Sequence, residues 1–348
     1  LAGLIIFIAP SFDSLTTEGA MDQITGDRPS SELHRTPRRS ERLRQRAAWM
    51  YFVEEMTQSA IADALGVGRV TVVRMLAEAK ALGEVRIALA RGNAELGGLE
   101  AALCKAYGFE EAIVAPLSSP SADATAPISA ALGEYVSALL RNEMKIGLGW
   151  GRTLNRSLEY LRERSLKNLS VVSLVGGVTH FAHDNPAEFP SAFARAFNAD
   201  CYLIPAPALV DSPATKAALI ERCGLGAVYA FANALDAIVV SVGSLGDLAT
   251  ISRFELIGKA DRRVMSEYGG VGELLCNVYD KEGRFIDHPL NQRVMSVPME
   301  AVCTAPVRVL AAGGAHKLAA IQGALKLLRP TTFVTDEASA RRLTGQSL

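Results

Sequence analysis

The chain has 348 residues, 49% of them hydrophobic and 21% charged, with 36 Lys+Arg against 37 Asp+Glu. That length exceeds one compact core of ordinary size and indicates about two domains. The apolar content excludes a disordered chain, and a formal net charge of −1 excludes a histone-like coat on nucleic acid. Cys104, Cys201, Cys223, Cys276 and Cys303 are scattered, form no CxxC and have no His at metal-ligand spacing. They read as reduced core thiols, with no metal and no cofactor indicated. Leu1 to Pro10 is apolar but too short to span a bilayer and lacks the flanks of a signal peptide, and no other run is long enough for a membrane helix. A cytoplasmic protein is expected. With Met21 as the candidate start, residues 1–34 are expected to be disordered or misassigned.

Positive charge is concentrated near the start: residues 35–91 carry eleven Lys+Arg against six Asp+Glu, and residues 92–348 carry 24 against 26. Arg35, Arg38, Arg39, Arg42, Arg44 and Arg46 read as a flexible basic arm able to release counterions from DNA phosphates. Leu43, Ala47, Met50 and Tyr51 recur at helical spacing and predict a first helix ending near Glu55. Thr57 is the candidate N-cap of a short second helix with Ile61, Ala62 and Leu65 inward, and Gly66 supplies the left-handed residue that ends it. A third helix is expected from Arg69 to Leu82, with Val70, Val73, Leu76 and Ala77 inward and Arg69, Thr71, Val72 and Arg74 on the other face. Gly83 stops it, and Glu84 to Leu89 reads as a strand. Helix, glycine turn, helix and wing over 35–91 make a winged helix-turn-helix DNA-binding domain.

Beyond Gly92 the texture changes to β-branched runs alternating with Ala/Leu-rich stretches, the pattern of an α/β domain with a parallel sheet. A linker helix is expected within 92–111, then an effector domain over 112–348. Strands are predicted at 112–115, 145–148, 170–174, 201–204, 237–242, 274–279, 307–311 and 332–334. In such sheets ligands sit at the carboxyl ends of strands. Three of these ends are glycine-rich: Gly149-Trp150-Gly151-Arg152-Thr153, Gly176-Gly177, and Gly313-Gly314-Ala315-His316-Lys317. Glycines let N–H groups approach an anion, Thr153 adds a hydroxyl and Lys317 a charge, so the first and third turns are candidates to clasp one phosphate. The Lys of a P-loop and the GxGxxG spacing are absent, which leaves nucleotide binding unsupported. Glu273 opens a strand and is a candidate partner for a sugar hydroxyl. His180 and His183 read as surface residues.

Thr57-Gln58-Ser59 through Ile61-Ala62, Leu65-Gly66-Val67, Arg69 to Val72, the Gly149 to Thr153 loop, Gly272-Glu273, Asp280 to Gly283, Pro289-Leu290-Asn291 and Gly313 to Lys317 carry a resemblance. In order and spacing the chain, from Arg42 to Gly345, resembles the SorC (sorbitol-operon-type) sugar-binding transcriptional regulators. The resemblance implies a winged helix-turn-helix head and a Rossmann-like effector domain related to ribose-phosphate isomerase and glucosamine-phosphate deaminase. It implies operator binding as a homodimer or homotetramer, controlled by a sugar, sugar phosphate or polyol. Helix pairs of this kind read two half-sites, so an inverted-repeat operator is expected. DNA contacts would come from Thr57, Gln58, Ser59, Arg69, Thr71, Val72 and Arg74. By the same resemblance Gly149, Gly151, Arg152, Thr153 and Lys317 meet the anionic end of the effector, with Trp150, Gly313 and Gly314 in the same turns, and Gly176, Gly177, Asn185 and Glu273 face its hydroxyls. Ala60 departs from an acidic residue that would complete a capping box with Thr57, and Gly68 from a Ser that would cap the third helix. The competing readings are a sugar-phosphate isomerase or deaminase, for which the Asp-rich catalytic segments are absent, and a sugar-binding protein whose head only oligomerises it.

Overall fold

The structure is a computed structural model, and it describes residues 4–8, 39–82, 84–89, 94–162, 164–178, 188–246, 249–253 and 257–346. The chain divides into two compact units, Leu1–Arg91 and Gly92–Leu348.

The first unit contains β1 (Leu4–Ile8), α1 (Arg39–Phe52), α2 (Gln58–Leu65), α3 (Arg69–Ala81) and β2 (Val85–Leu89). Its core is small: Ala47, Ala48, Met50, Ile61, Ala62, Val72, Leu76, Ala79 and Val85. The alanines let helix axes approach closely where longer side chains would hold them apart. Thr57 caps α2 as expected, its Oγ1 accepting the Ala60 N–H at 3.2 Å. Gly66 adopts φ +64° and closes the corner into α3, with the Val67 N–H bonded to the Ala62 carbonyl at 3.0 Å. Gly68 gives α3 no side-chain cap.

Four sequence expectations change here. The arginine run is not a flexible arm over its described part, because Arg39, Arg42, Arg44 and Arg46 all lie on α1, while Arg35 and Arg38 fall outside the described residues. Of the leader expected to lack structure, Leu4–Ile8 pair antiparallel with Val85–Leu89; a β-branched apolar run finds a partner edge in β2. α3 buries Val72, Leu76 and Ala79, whereas Val70 and Val73 are 83% and 46% exposed. Both stripes are apolar at helical spacing, so periodicity could not choose between them; packing against α1 and α2 does. Finally, the helix expected as a linker, α4 (Ala94–Tyr107), belongs to the second unit, where Leu96, Leu99 and Leu103 enter the core.

The second unit is a mixed α/β fold. In chain order α4 is followed by β3 (Glu111–Ala115), α5 (Thr125–Leu139), β4 (Lys145–Leu148), α6 (Arg152–Ser157), β5 (Ser170–Ser173), α7 (Glu188–Phe197), β6 (Asp200–Tyr202), α8 (Pro213–Arg222), α9 (Gly226–Ala232), β7 (Ala237–Val240) and β8 (Gly243–Ser244). Then come α10 (Thr250–Arg253), α11 (Lys259–Glu267), β9 (Gly270–Leu274), β10 (Asn277–Asp280), α12 (Pro289–Gln292), α13 (Met299–Thr304), β11 (Val307–Ala311), α14 (Leu318–Leu328), β12 (Thr332–Asp336) and α15 (Glu337–Thr344). Seven strands in the order β3-β12-β11-β7-β4-β5-β6 form one parallel sheet. Successive residues of its central strand serve opposite faces: Ala237 and Val239 enter one apolar layer, Ile238 and Val240 the other. That alternation is the two-residue period of a strand buried on both sides.

A smaller antiparallel sheet, β10-β9-β8, extends from the end of β7. It replaces the single strand expected over 274–279. Its hairpin turns through Leu275 and Cys276 at φ 51° and 65°, left-handed values that glycine or asparagine usually supplies. Among the described residues no helix is long and apolar enough to cross a membrane, and no cluster of three or more His, Cys, Asp or Glu could hold a metal ion.

Candidate functional site

Strands β11, β7 and β4 are adjacent and parallel, so the segments that follow them meet at one edge of the sheet. Those segments carry Lys317, the β8 residues Gly243 and Ser244, and Arg152. Lys317 reaches across from the end of β11 to the end of β7, its Nζ donating to the Val242 carbonyl at 3.4 Å. Burial and the nearby Arg152 guanidinium push its pKa down, while Glu273 and Asp123 oppose that shift. His316 is also held below its usual value, by burial and then by Lys317 and Arg152. Arg152, His316 and Lys317, from two turns, therefore share one field with the carboxylates of Asp123 and Glu273.

Glu273 lies beside this group on β9, opposite Gly243, and is 4% exposed. Burial pushes its pKa up to about 7 against the opposing influence of the Cys276 N–H, Lys317 and the Gly243 N–H. The Cys276 N–H donates to Glu273 Oε2 at 2.8 Å, so the carboxylate also supports the left-handed turn. A side chain added to Gly243 would put its Cβ 2.3 Å from Glu273 Oε1, which ties the glycine to this carboxylate.

The expected glycine contacts are largely occupied by the chain itself. The Gly149 N–H donates to the Val239 carbonyl at 2.9 Å, and the Gly149 Cα faces Leu275 and Val240. Trp150 is 5% exposed and packs in the core. The N–H groups of Gly176 and Gly177 donate to Met295 and Ala206 carbonyls at 2.8 and 2.9 Å. The Gly314 N–H donates to Asp336 Oδ2 at 2.8 Å, and Gly313 has no room for a Cβ beside that same oxygen. The N–H groups of Gly149, Gly176, Gly177 and Gly314 are thus engaged within the chain, Gly313 passes close to Asp336, and Trp150 is buried, which suits these residues to shaping the turns. Gly151 adopts φ +123°, and Arg152, which is exposed, and Thr153 lie in the first turn of α6. Asn185, His180 and His183 lie outside the described residues. The sequence reading missed His316 and Asp123; the segment containing His316 was noted for Lys317 alone, and Asp123 sits in a Ser/Pro-rich loop without a motif.

In the first unit Thr57, Gln58, Ser59 and Arg69 line an open depression of about 610 Å³ together with Tyr51, Phe52, Glu55 and Met56. Arg69 and Arg74 are exposed, Thr71 is half-buried, and Val72 is fully buried. The DNA contact expected of Val72 is therefore withdrawn, since its side chain fills the core between the helices.

Residues 93–344 match the family described as "Putative sugar-binding domain". The chain is 30% identical over 307 residues to the erythritol catabolism regulatory protein EryD of Brucella abortus, covering 86% of this chain and 96% of that protein. The chain belongs to the SorC-type family of sugar-binding transcriptional regulators. It is 27% identical to the sorbitol operon regulator of Klebsiella pneumoniae, over 87% of this chain and 97% of that one. The crystal structure of full-length SorC from Klebsiella pneumoniae superposes with a TM-score of 0.68 at 25% identity, covering 87% of this chain and 98% of that chain. The SorC-type match accounts for the parallel-sheet unit, and these relatives are named as a catabolism regulatory protein and an operon regulator.

Proposed function

We propose that this SorC-type regulator binds an inverted-repeat operator through a winged helix-turn-helix formed by α1, α2, α3 and the β1–β2 ribbon, and that a sugar or polyol phosphate at the sheet edge controls that binding. The observation that carries the reading is the convergence of Arg152, His316 and Lys317 beside the buried Glu273. The cations suit a phosphate, which is bound more strongly by charge-assisted hydrogen bonds than by neutral ones. Glu273 suits the hydroxyl end, since a carboxylate only accepts and a carboxylic acid can also donate. The body then resembles the ribose-phosphate isomerase type of fold used for binding, and an even number of subunits follows from a palindromic operator.

A second reading rests on Glu273 itself. A carboxylate titrating at about 7 is matched to general-base work, so an isomerase-like activity is the alternative. Regulator relatives, and the hydrogen bond that commits Glu273 to the Cys276 turn, favour binding. A thermal-shift screen over sugar phosphates, free sugars and polyols tests the first reading, because a ligand that binds only the folded state raises Tm. A phosphorylated compound is expected to give the largest shift. Turnover of that compound, followed by chromatography, would move the assignment to the enzyme.

A further inference from the structure

Val70 and Val73 stand on the solvent face of α3, one turn apart, 83% and 46% exposed, while Val72, Leu76 and Ala79 hold the opposite face in the core. Single exposed valines are ordinary. Here two share a stripe with exposed Arg74 and Ala77, and exposed Arg69 begins the helix. α1 adds exposed Arg39, Arg42 and Arg46 within the same unit. An apolar stripe bordered by cations fits a partner that is polyanionic at its edges and carries methyl groups at its centre. The major groove of duplex DNA has that chemistry: phosphates along both walls and, at each A·T pair, the thymine C5-methyl on its floor.

We propose that Val70 and Val73 are specificity-determining residues that read thymine methyl groups in the operator, setting an A·T preference at the base pairs under the first turns of α3. The inference rests on the DNA-binding reading of the first unit, and Arg69 and Arg74 then contact the flanking guanines or phosphates. Both valines are free of the core, so serine at either position removes the methyl contact without opening a cavity.

The test starts from a randomised duplex pool selected on the full-length protein. In the selected duplex each thymine is replaced singly by deoxyuridine, which pairs identically but lacks the methyl, and affinity is read by fluorescence anisotropy. The wild type should lose about fourfold at one or two thymines per half-site, the loss of one buried methyl. Val70→Ser and Val73→Ser should each abolish the penalty at one of those thymines. Full penalties retained in both serine variants, or no penalty at any thymine in the wild type, overturn the proposal while leaving DNA binding intact. A change in oligomeric state in either variant, with unchanged thymine dependence, assigns the valines to a second copy of the chain and also overturns it. Failure of the wild type to retain any duplex removes the DNA-binding reading itself, and the proposal with it.

Discussion

Arg44 grips Glu84 through two parallel hydrogen bonds, Nε to Oε2 at 2.7 Å and Nη2 to Oε1 at 2.6 Å, and its Nη1 reaches Glu78 at 2.9 Å. The pair joins α1 to the residue that leads into β2, with side chains only 12% and 17% exposed. One of the arginines that looks from sequence like part of a DNA-binding run is therefore a structural latch. The Arg44 hydrogen bond holds the Glu84 carboxyl below its ordinary range, and the guanidinium is raised in turn.

Arg44→Ala should destabilise the first unit by about 1–2 kcal/mol, because it leaves Glu84 partly buried with a weak Gln45 Nε2 contact at 3.5 Å in place of the guanidinium. Hydrogen exchange of α1 and β2 amides in the full chain would show it. A depressed carboxylate contributes its stability above its unfolded pKa and loses it as pH falls through the folded value. Exchange protection in this unit should therefore fall below about pH 4 in the wild type and show less of that fall in Arg44→Ala.

Arg42→Ala and Arg46→Ala remove exposed charges and should leave exchange unchanged. Each should weaken DNA binding and, where it contacts a phosphate, reduce the slope of log affinity against log salt by about 0.9. Equal salt slopes for wild type and double variant would place these arginines away from the DNA.

The body's parallel strands were legible because buried strands read as unbroken β-branched runs, and the strand-end rule pointed to the segments carrying Arg152 and Lys317, whereas Glu273, read as opening a strand, lies inside β9. The β9–β10 hairpin was not legible. Leu275 and Cys276 carry no turn signal, and their left-handed turn is supported by the Cys276 N–H donating to the Glu273 carboxylate three residues earlier, a contact that matches no turn motif. The partners of the glycine turns were not legible either. The turns' N–H groups are satisfied by Val239, Met295, Ala206 and Asp336, partners between 22 and 119 residues away that only the fold brings near. Val70 and Val72 exchanged roles because α3 is apolar on more than one face.

Asp336 is the internal anion of the Gly313–Gly314 turn. It accepts the Gly314 N–H, the Ser339 N–H and the Ser339 hydroxyl. Asp336→Ala should lower stability by about 1–3 kcal/mol, since those donors lose a charged acceptor. It should also weaken effector binding through the displaced turn carrying Lys317. Calorimetric unfolding and ligand titration of the same variant measure both.

Glu273 gives the body a pH signature of the opposite sign to Glu84. Its folded pKa is raised from the ordinary 4.5 to about 7, so the native state binds more protons than the unfolded one between those values. Its contribution to stability therefore falls as pH rises from about 4.5 to 7. Glu273→Gln keeps an acceptor for the Cys276 N–H and should flatten that part of the curve. Denaturant midpoints measured across the window check it, and an unchanged slope in the variant would remove Glu273 as the source.

The coupling between effector and operator is tested most directly by titrating a selected operator duplex with wild type and Lys317→Ala, each with and without the phosphorylated compound that raises Tm. In the wild type the compound should shift operator affinity by at least about fivefold, the lower end of ordinary allosteric coupling. In Lys317→Ala the affinity without the compound should match wild type, while a ten- to hundredfold weaker hold on the phosphate, about 1.5–3 kcal/mol, should abolish the shift at the same concentration. An undiminished shift in Lys317→Ala would contradict the anion site at the sheet edge and leave an uncharged ligand held by Glu273 as the better account.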